Sequence, residues 1–263
     1  EFYMLFEQYV SQMKAYQSLG SSDKKILPTN LLMAEDDKFS VYYAPFDYIN
    51  HDAKIVLCGI TPGYQQADLA LAEAKRQMLA GSSLNIAKRK AKETACFGGK
   101  MRGSLISLLD SIGVNQLLAL DSCDRLFTTH THYVHYTSVL RYPVFDGGGN
   151  YTGSNAILRR PLLKQQLDNY FVEELKQLPE DCFYIPLGSN VSLVFDYLIK
   201  QGKVKAERVL SGLPHPSGAN AERISYFLGR KTKENLSSKT NADQIDSVRQ
   251  QLLDQIAQLI RTA

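Results

Sequence analysis

Two short segments hold residues whose types and spacing could do chemistry. They are Gly59-Ile60-Thr61-Pro62-Gly63 and, about 150 residues later, Leu213-Pro214-His215-Pro216-Ser217-Gly218-Ala219-Asn220. Each comes after an apolar, strand-like run and turns sharply on Gly and Pro. In a parallel α/β sheet such turns lie at the carboxyl ends of strands, where ligands bind, so the two turns are expected to line one crevice. A histidine held on a turn between two prolines can donate a hydrogen bond to an oxygen on which negative charge develops.

Those turns need elements to hold them. With 263 residues, 44% of them hydrophobic, the chain can bury one substantial core. The expectation is a single domain over 1–263 with its core at about 54–228. To it are added an N-terminal helical extension over 1–45, a basic helical insertion over 67–92 broken at Gly81-Ser82-Ser83, and a C-terminal amphipathic helix over 241–261. Within the core the pattern predicts strands at 54–58, 132–139, 183–187 and 208–210. Helices are expected over 103–113, 156–177 and 191–199, and a further extended stretch near Val41-Tyr42-Tyr43. Strand–helix alternation of this kind predicts an α/β fold: a three-layer α/β/α sandwich around a central four-stranded parallel sheet. The loop 145–155, with Asp146-Gly147-Gly148-Gly149-Asn150, reads as a flexible lid, since it lacks the Lys-Ser/Thr of a phosphate-binding loop.

Net charge is only +3, yet it is unevenly spread. Residues 1–53 hold eight acids against four bases, whereas 75–102 hold eight bases against Glu93 alone, and 200–233 hold eight more against Glu207 and Glu222. Positive charge therefore flanks both turns in the sequence, as a polyanionic partner such as DNA would require. Solvated helix faces would give the same count. No stretch is apolar enough for a bilayer and no secretory pattern opens the chain, so a cytoplasmic protein without a membrane partner is expected. Cys58, Cys96, Cys123 and Cys182 form no C-x-x-C pair and read as reduced structural thiols. His130, His132 and His135 invite a metal reading, but residue 135 points to the opposite strand face and no acid completes a set, so no metal is expected.

The two turns resemble the signature motifs of the uracil-DNA glycosylase superfamily: Gly59-Ile60-Thr61-Pro62-Gly63 its first motif, and His215-Pro216-Ser217 its second. Phe97-Gly98-Gly99, then Leu108-Leu109-Asp110-Ser111-Ile112-Gly113, resembles its phenylalanine-then-helix segment, and Pro186-Leu187-Gly188-Ser189-Asn190 its third-strand turn. Residues 54–228 are covered in order. The resemblance implies a monofunctional DNA glycosylase that flips a nucleotide and cleaves its N-glycosidic bond, leaving an abasic site, as a monomer without metal or cofactor. It further implies that His215 donates to the pyrimidine O2 and that the flipped base stacks on Phe97. Gly59, Ile60, Pro62, Gly63, Thr137 and Ser138 would line the base. Lys100, Arg102, Ser217, Gly218 and Arg223 would contact DNA, and Asn220 would fill the gap in the stack.

Two departures bear on chemistry and substrate. Thr61 stands where the superfamily most often has Asp or Asn, and its hydroxyl can position water but not deprotonate it; Asp146 is the acid expected to supply the missing base. On the second strand, Tyr136-Thr137-Ser138-Val139 lacks the asparagine that reads uracil, and Gly63 replaces a tyrosine that excludes substituents at C5. Space for a 5-modified pyrimidine is therefore expected, including oxidised thymine or the hydroxymethylated and glucosylated cytosines of phage DNA, a role in antiviral defence. The alternative is a non-catalytic binder of DNA or modified nucleotides on the same fold.

Overall fold

The computed structural model describes residues 5–18 and 26–263. Of the expected N-terminal helical extension over 1–45, residues 1–4 and 19–25 lie outside the described residues and Leu5–Gln8 and Val10–Ala15 are helical, but Leu32–Glu35 and Phe39–Tyr42 are strands that pair with each other instead. The described strands are β1 (Leu32–Glu35), β2 (Phe39–Tyr42), β3 (Ile55–Gly59), β4 (Val134–Ser138), β5 (Val144–Asp146), β6 (Gly149–Asn150) and β7 (Phe183–Pro186). They form a mixed α/β arrangement with a parallel sheet in the order β4-β3-β7 and a second, antiparallel sheet in the order β1-β2-β5-β6.

Where one domain was expected, the chain gathers into two compact units built from interleaved stretches. The first comprises the described residues up to Ile49 together with Ile60–Cys96 and Tyr136–Gln177. The second comprises Asn50–Gly59, Phe97–His135 and Leu178–Ala263, so β4 crosses the division between residues 135 and 136.

In the second unit, β3 pairs with β7 in parallel, Ile55 with Phe183 through to Cys58 with Pro186. Every residue of β3 is buried, as the unbroken Ile-Val-Leu-Cys run requires of a strand covered on both faces. Helix Ser189–Lys200 comes soon after β7. The expected fourth strand is reduced to one parallel bridge, Tyr184 with Val209, and one backbone bond, from the Leu210 N–H to Tyr184 O at 2.8 Å. A 3-10 turn over Ala206–Arg208 precedes it and Gly212 succeeds it, leaving too few residues to run a ladder. Gly212 has φ +127°, and a Cβ there would lie 2.0 Å from Val248 Cγ1 on the C-terminal helix Ala242–Thr262. Only glycine lets this helix approach so closely, and it buries Leu252 and Ile256 in doing so.

In the first unit, helices Tyr64–Leu79 and Leu84–Ala95 pack together as the basic insertion. Ala67, Ala70 and Ala74 on one and Ala87, Ala91 and Ala95 on the other are buried, and small side chains permit close helix contact. The Gly81-Ser82-Ser83 break is a turn in which Ser83 Oγ accepts the Ile86 N–H, capping the second helix. The first half of the expected lid at 145–155 is instead a hairpin: β5 pairs with β2 through Phe39–Asp146 and Val41–Val144, and β6 closes a hairpin with β5 through Gly147 at φ +62°, while 151–155 belong to no strand. Val144 and Phe145 are buried, which is why this stretch joins a sheet. The expected helix over 156–177 is broken at Pro161 and widened into a π turn at Leu167–Val172.

That segment closes a buried ionic cluster. Glu174, fully buried, accepts from the Thr137 hydroxyl and from Arg141 Nη2 at 2.9 Å; Arg141 also donates to Tyr170 O at 3.2 Å. Nearby, Asp47 accepts from the Tyr142 hydroxyl at 2.6 Å and the Tyr43 hydroxyl at 2.7 Å, and the buried Lys92 amine donates to Tyr48 O at 2.8 Å. Removing one member of a buried ion pair strands the other charge in a medium that cannot solvate it. Glu174→Gln is therefore expected to lower the unfolding free energy by about 3–5 kcal/mol, read as a shifted midpoint in urea denaturation; an unchanged midpoint would show that Arg141 is solvated.

Candidate functional site

The histidine turn is built where the parallel strands of the second unit end. The Leu187 N–H donates to Cys58 O at 2.9 Å, and the Gly188 N–H to Leu213 O at 3.1 Å, so the ends of β3 and β7 and the approach to His215 are bonded in series. Gly188 has φ +93° and ψ 161°, a conformation that side chains avoid, and a Cβ there would lie 3.3 Å from His215 Cβ. The sequence pattern places Gly188 only within a turn. Its absent side chain is what lets the strand end lie against the histidine.

His215 is half-buried, and the Ser217 N–H donates to its Nδ1 at 3.2 Å. A backbone amide can only donate, so Nδ1 must accept, and the neutral ring carries its proton on Nε2. Burial lowers the pKa of His215 below the ordinary histidine value. The result is a neutral imidazole presenting an Nε2–H donor. The turn is braced from behind: Asn220 Nδ2 donates to His215 O at 3.2 Å, and Asn220 Oδ1 accepts from Arg223 Nη1 at 2.9 Å. Arg223 also donates to Lys239 O at 3.3 Å. Because a guanidinium offers no acceptor, it fixes which way the Asn220 amide faces. Asn220 and Arg223, both expected at DNA, are thereby tied to the turn, with Arg223 still exposed. A cleft of about 610 Å³ in this unit is lined by His215 with Gly188, Ser189, Ser192, Arg223 and Lys239 among others.

Phe97, also in this unit, is buried at 6 % exposure with φ +50°, an uncommon backbone state for a non-glycine residue. Arg102 donates from Nε to Phe97 O at 3.2 Å while its guanidinium lies 4.9 Å from the Phe127 ring centre. Arg102, expected at DNA, thus also braces the Phe97 turn. Lys100, Ser217 and Gly218 lie at the surface or half-buried, with the Gly218 position open.

The first motif begins at Gly59, the buried end of β3 in the second unit, and continues into the first unit at Ile60. Ile60 and Pro62 are buried. The Thr61 hydroxyl donates to Tyr142 O and accepts the Val144 N–H, both at 3.1 Å, which pins the turn to β5. The group expected to orient water is therefore engaged with backbone on both its donor and an acceptor site. At Gly63 the space expected to be open is taken: a Cβ there would lie 3.1 Å from Asn150 Nδ2. Asn150 Oδ1 accepts the Tyr64 N–H at 2.9 Å, and Gln66 Oε1 the Gly63 N–H at 2.9 Å, so two amides at the start of the helix are satisfied. Nothing in the local pattern singled out Asn150, because its role depends on the hairpin that carries it.

Two more expected groups are directed elsewhere. Thr137 is buried with its hydroxyl on Glu174, because β4 turns that face into the ionic cluster. Asp146 sits in the β2–β5 ladder with its carboxylate 3.6 Å from Lys38 Nζ, an ion pair rather than a base on a mobile loop. Ser138, half-buried at the end of β4, carries no such commitment.

The basic surplus is also partly spent within each unit. Lys75 donates to Tyr16 O, Lys88 pairs with Glu7, Arg76 with Glu73 and Lys90 with Glu93. In the second unit Arg208 donates to Asp181 O, and Lys231 and Lys233 pair with Glu222 and Asp243. Among the described residues no group of three or more His, Cys, Asp or Glu side chains could hold a metal ion. The four cysteines are buried and form no disulfide. No described helix is long and apolar enough to cross a membrane.

No family model matches the chain, and no solved structure does. The chain is 37% identical over 221 residues to "Uncharacterized protein YoxB" of Bacillus subtilis (strain 168), a match covering 83% of this chain and 85% of that protein.

Two measurements check the histidine geometry. Nuclear magnetic resonance of the His215 ring is expected to show the Nε2–H tautomer and a titration midpoint below the ordinary histidine value of about 6.5. Since the folded ring takes up its proton at lower pH than the unfolded one, its share of stability is complete above that value and falls as pH drops through it. His215→Asn should remove that part of the pH dependence; a midpoint at or above the ordinary value would contradict the burial argument. Gly188→Ala should cost about 1–3 kcal/mol of stability and shift the His215 ring resonances, whereas a silent substitution would mean that the strand end tolerates a side chain.

Proposed function

The chain belongs to the family of the Bacillus subtilis protein YoxB, and for it we propose the activity of a monofunctional DNA glycosylase that removes a uracil-like or 5-modified pyrimidine. The observation that carries this reading is the neutral His215 ring, held with Nδ1 on the Ser217 N–H and Nε2–H free to donate, at the carboxyl ends of parallel strands. The resemblance of both turns to the uracil-DNA glycosylase motifs supports it. On this reading Tyr184–Val209 stands for the fourth strand of that superfamily's central sheet.

In the reaction the bond between C1′ and the pyrimidine N1 breaks, and its electron pair passes to the base, where charge accumulates on O2. A fixed neutral donor stabilises that charge without giving up its proton, so the imidazole acts as an electrophile rather than an acid. Water then attacks C1′ and loses a proton to solvent, and the departed base anion takes one up from solvent, leaving an abasic sugar and the neutral free base. Thr61 contributes shape to the turn and no proton transfer, since its hydroxyl is bonded to Tyr142 O and the Val144 N–H. Departure of the base therefore runs ahead of water attack. Phe97, with its constrained backbone, is the residue proposed to stack on the extruded base, a contact generally worth about 1–3 kcal/mol. DNA is the proposed partner.

The same engagement of Thr61 favours a second reading, a binder of modified DNA that does not turn over, since no positioned base accompanies His215 in its turn. Single- and double-stranded oligonucleotides bearing uracil, 5-substituted uracil, 5-hydroxymethylcytosine or its glucosylated form distinguish the two. Scored for alkali-labile abasic sites, the unmodified chain is expected to cleave at least one base, and His215→Ala to lose about a hundred- to a thousandfold in rate. Base-dependent binding without cleavage across the set would select the binder.

A further inference from the structure

We infer that Lys239 binds a phosphate of the DNA backbone at the rim of the His215 cleft, and that Glu222 is the positioning residue that holds it there. The inference rests on the DNA-binding part of the glycosylase reading and deepens it.

Lys239 lies in the segment 229–241, which joins helix Ala221–Phe227 to the C-terminal helix and holds Arg230, Lys231, Lys233 and Lys239 against Glu234. A segment this polar has little apolar surface to bury, so polar bonds must fix its course. Two consecutive residues of the helix supply them. Glu222 accepts from the Lys231 amine at 3.0 Å, from the Ser237 N–H at 3.0 Å and hydroxyl at 2.7 Å, and from the Thr240 hydroxyl. These donors hold its carboxyl well below the usual carboxylate range, so the latch is charged at neutral pH. Arg223 donates to Lys239 O at 3.3 Å and to Asn220 Oδ1 at 2.9 Å, and the Asn220 amide nitrogen donates to His215 O at 3.2 Å. The backbone of Lys239 is therefore tied to that of the histidine through two side chains.

What these bonds leave over is the Lys239 ammonium. Lys231 is engaged by Glu222 and Lys233 by Asp243, whereas the Lys239 side chain is exposed and, among the described residues, meets no carboxylate. It lines the cleft of about 610 Å³ together with His215 and Arg223. Asp196, the acid in the same lining, stands eight residues beyond Gly188 on helix Ser189–Lys200, about 12 Å along an axis that rises about 1.5 Å per residue, while Gly188 packs against His215. Positive charge thus gathers at the end of the cleft that holds the histidine. A nucleotide whose base lies at His215 carries a phosphate on each side of its sugar, and a lysine beside the histidine is a point charge for one of them. Such a contact fixes where the strand lies and does not distinguish bases.

The test measures binding of a fluorescent duplex containing one uracil, and of its unmodified counterpart, by anisotropy between about 50 and 200 mM salt. Excision of the uracil is scored in parallel. Lys239→Gln is expected to weaken binding of both duplexes alike and to reduce the slope of log affinity against log salt by about 1, one phosphate contact. Lys205→Gln changes the net charge equally on the 3-10 turn before Val209, at the amino end of the strands, and should leave the slope unchanged. Glu222→Gln separates position from charge. Removing an acid beside DNA strengthens binding by charge alone, whereas loss of the latch weakens it and lowers the slope, with no further loss when Lys239→Gln is added. An unchanged slope in Lys239→Gln, a slope lowered as much by Lys205→Gln, or a Glu222→Gln chain that binds more tightly overturns the inference. DNA bound with the expected slopes but no base excised leaves the inference standing while the glycosylase reading falls; no binding to either duplex overturns both.

Discussion

Parallel pairing of two strands forces both to leave their sheet at the same edge, and that constraint places the ends of β3 and β7 side by side. Their cores are apolar and buried, so neither can slip without exposing a face or breaking the ladder. Where they end, the backbone remains bonded across the gap, Leu187 to Cys58 and Gly188 to Leu213, and the histidine turn inherits the rigidity of the sheet. The ring of His215 then needs only one more bond, from the Ser217 amide, to have its tautomer settled. A donor prepared in this way costs no reorganisation when charge appears in front of it.

Within each unit, most polar side chains of the two motifs and their neighbours already have partners. In the first, Thr61 ties its turn to β5 and Asp146 faces Lys38; in the second, Arg102 steadies the carbonyl of Phe97, and Asn220 and Arg223 brace the histidine from behind. Such commitments supply position rather than proton transfer. On the proposed glycosylase reading they suit a reaction in which stabilising a leaving anion carries most of the barrier and deprotonation of water comes late. Elsewhere in the first unit, Glu174, Arg141 and Thr137 do the same in a fully buried setting, where the polar groups satisfy one another and turn away from any ligand.

The elements are legible in the sequence wherever pattern and punctuation agree. The apolar run at 55–58, the Ala-rich helices with their Gly-Ser-Ser break and the C-terminal helix all stand within a few residues of expectation. Legibility fails where a segment depends on a distant partner. Val144–Asn150 looks like a glycine-rich loop until β2 lies beside it, and 208–210 looks like a strand until Gly212 and Val248 limit its length.

Local pattern was enough to dictate the α/β alternation, the two Gly/Pro turns and the presence of a histidine between prolines, because each rests on short-range periodicity and on backbone angles that few residues allow. Which polar atoms remain free was settled by tertiary packing alone. Hydrogen bonds between residues 61 and 142, 137 and 174, or 64 and 150 join chain segments that no local pattern relates. Thr137 could be a ligand or a core residue, and Asn150 a free loop residue or the cap of a distant helix, with the same neighbours in sequence. The difference lies in what the fold brings within hydrogen-bonding distance, since a donor already satisfied by the protein has little left to offer a substrate.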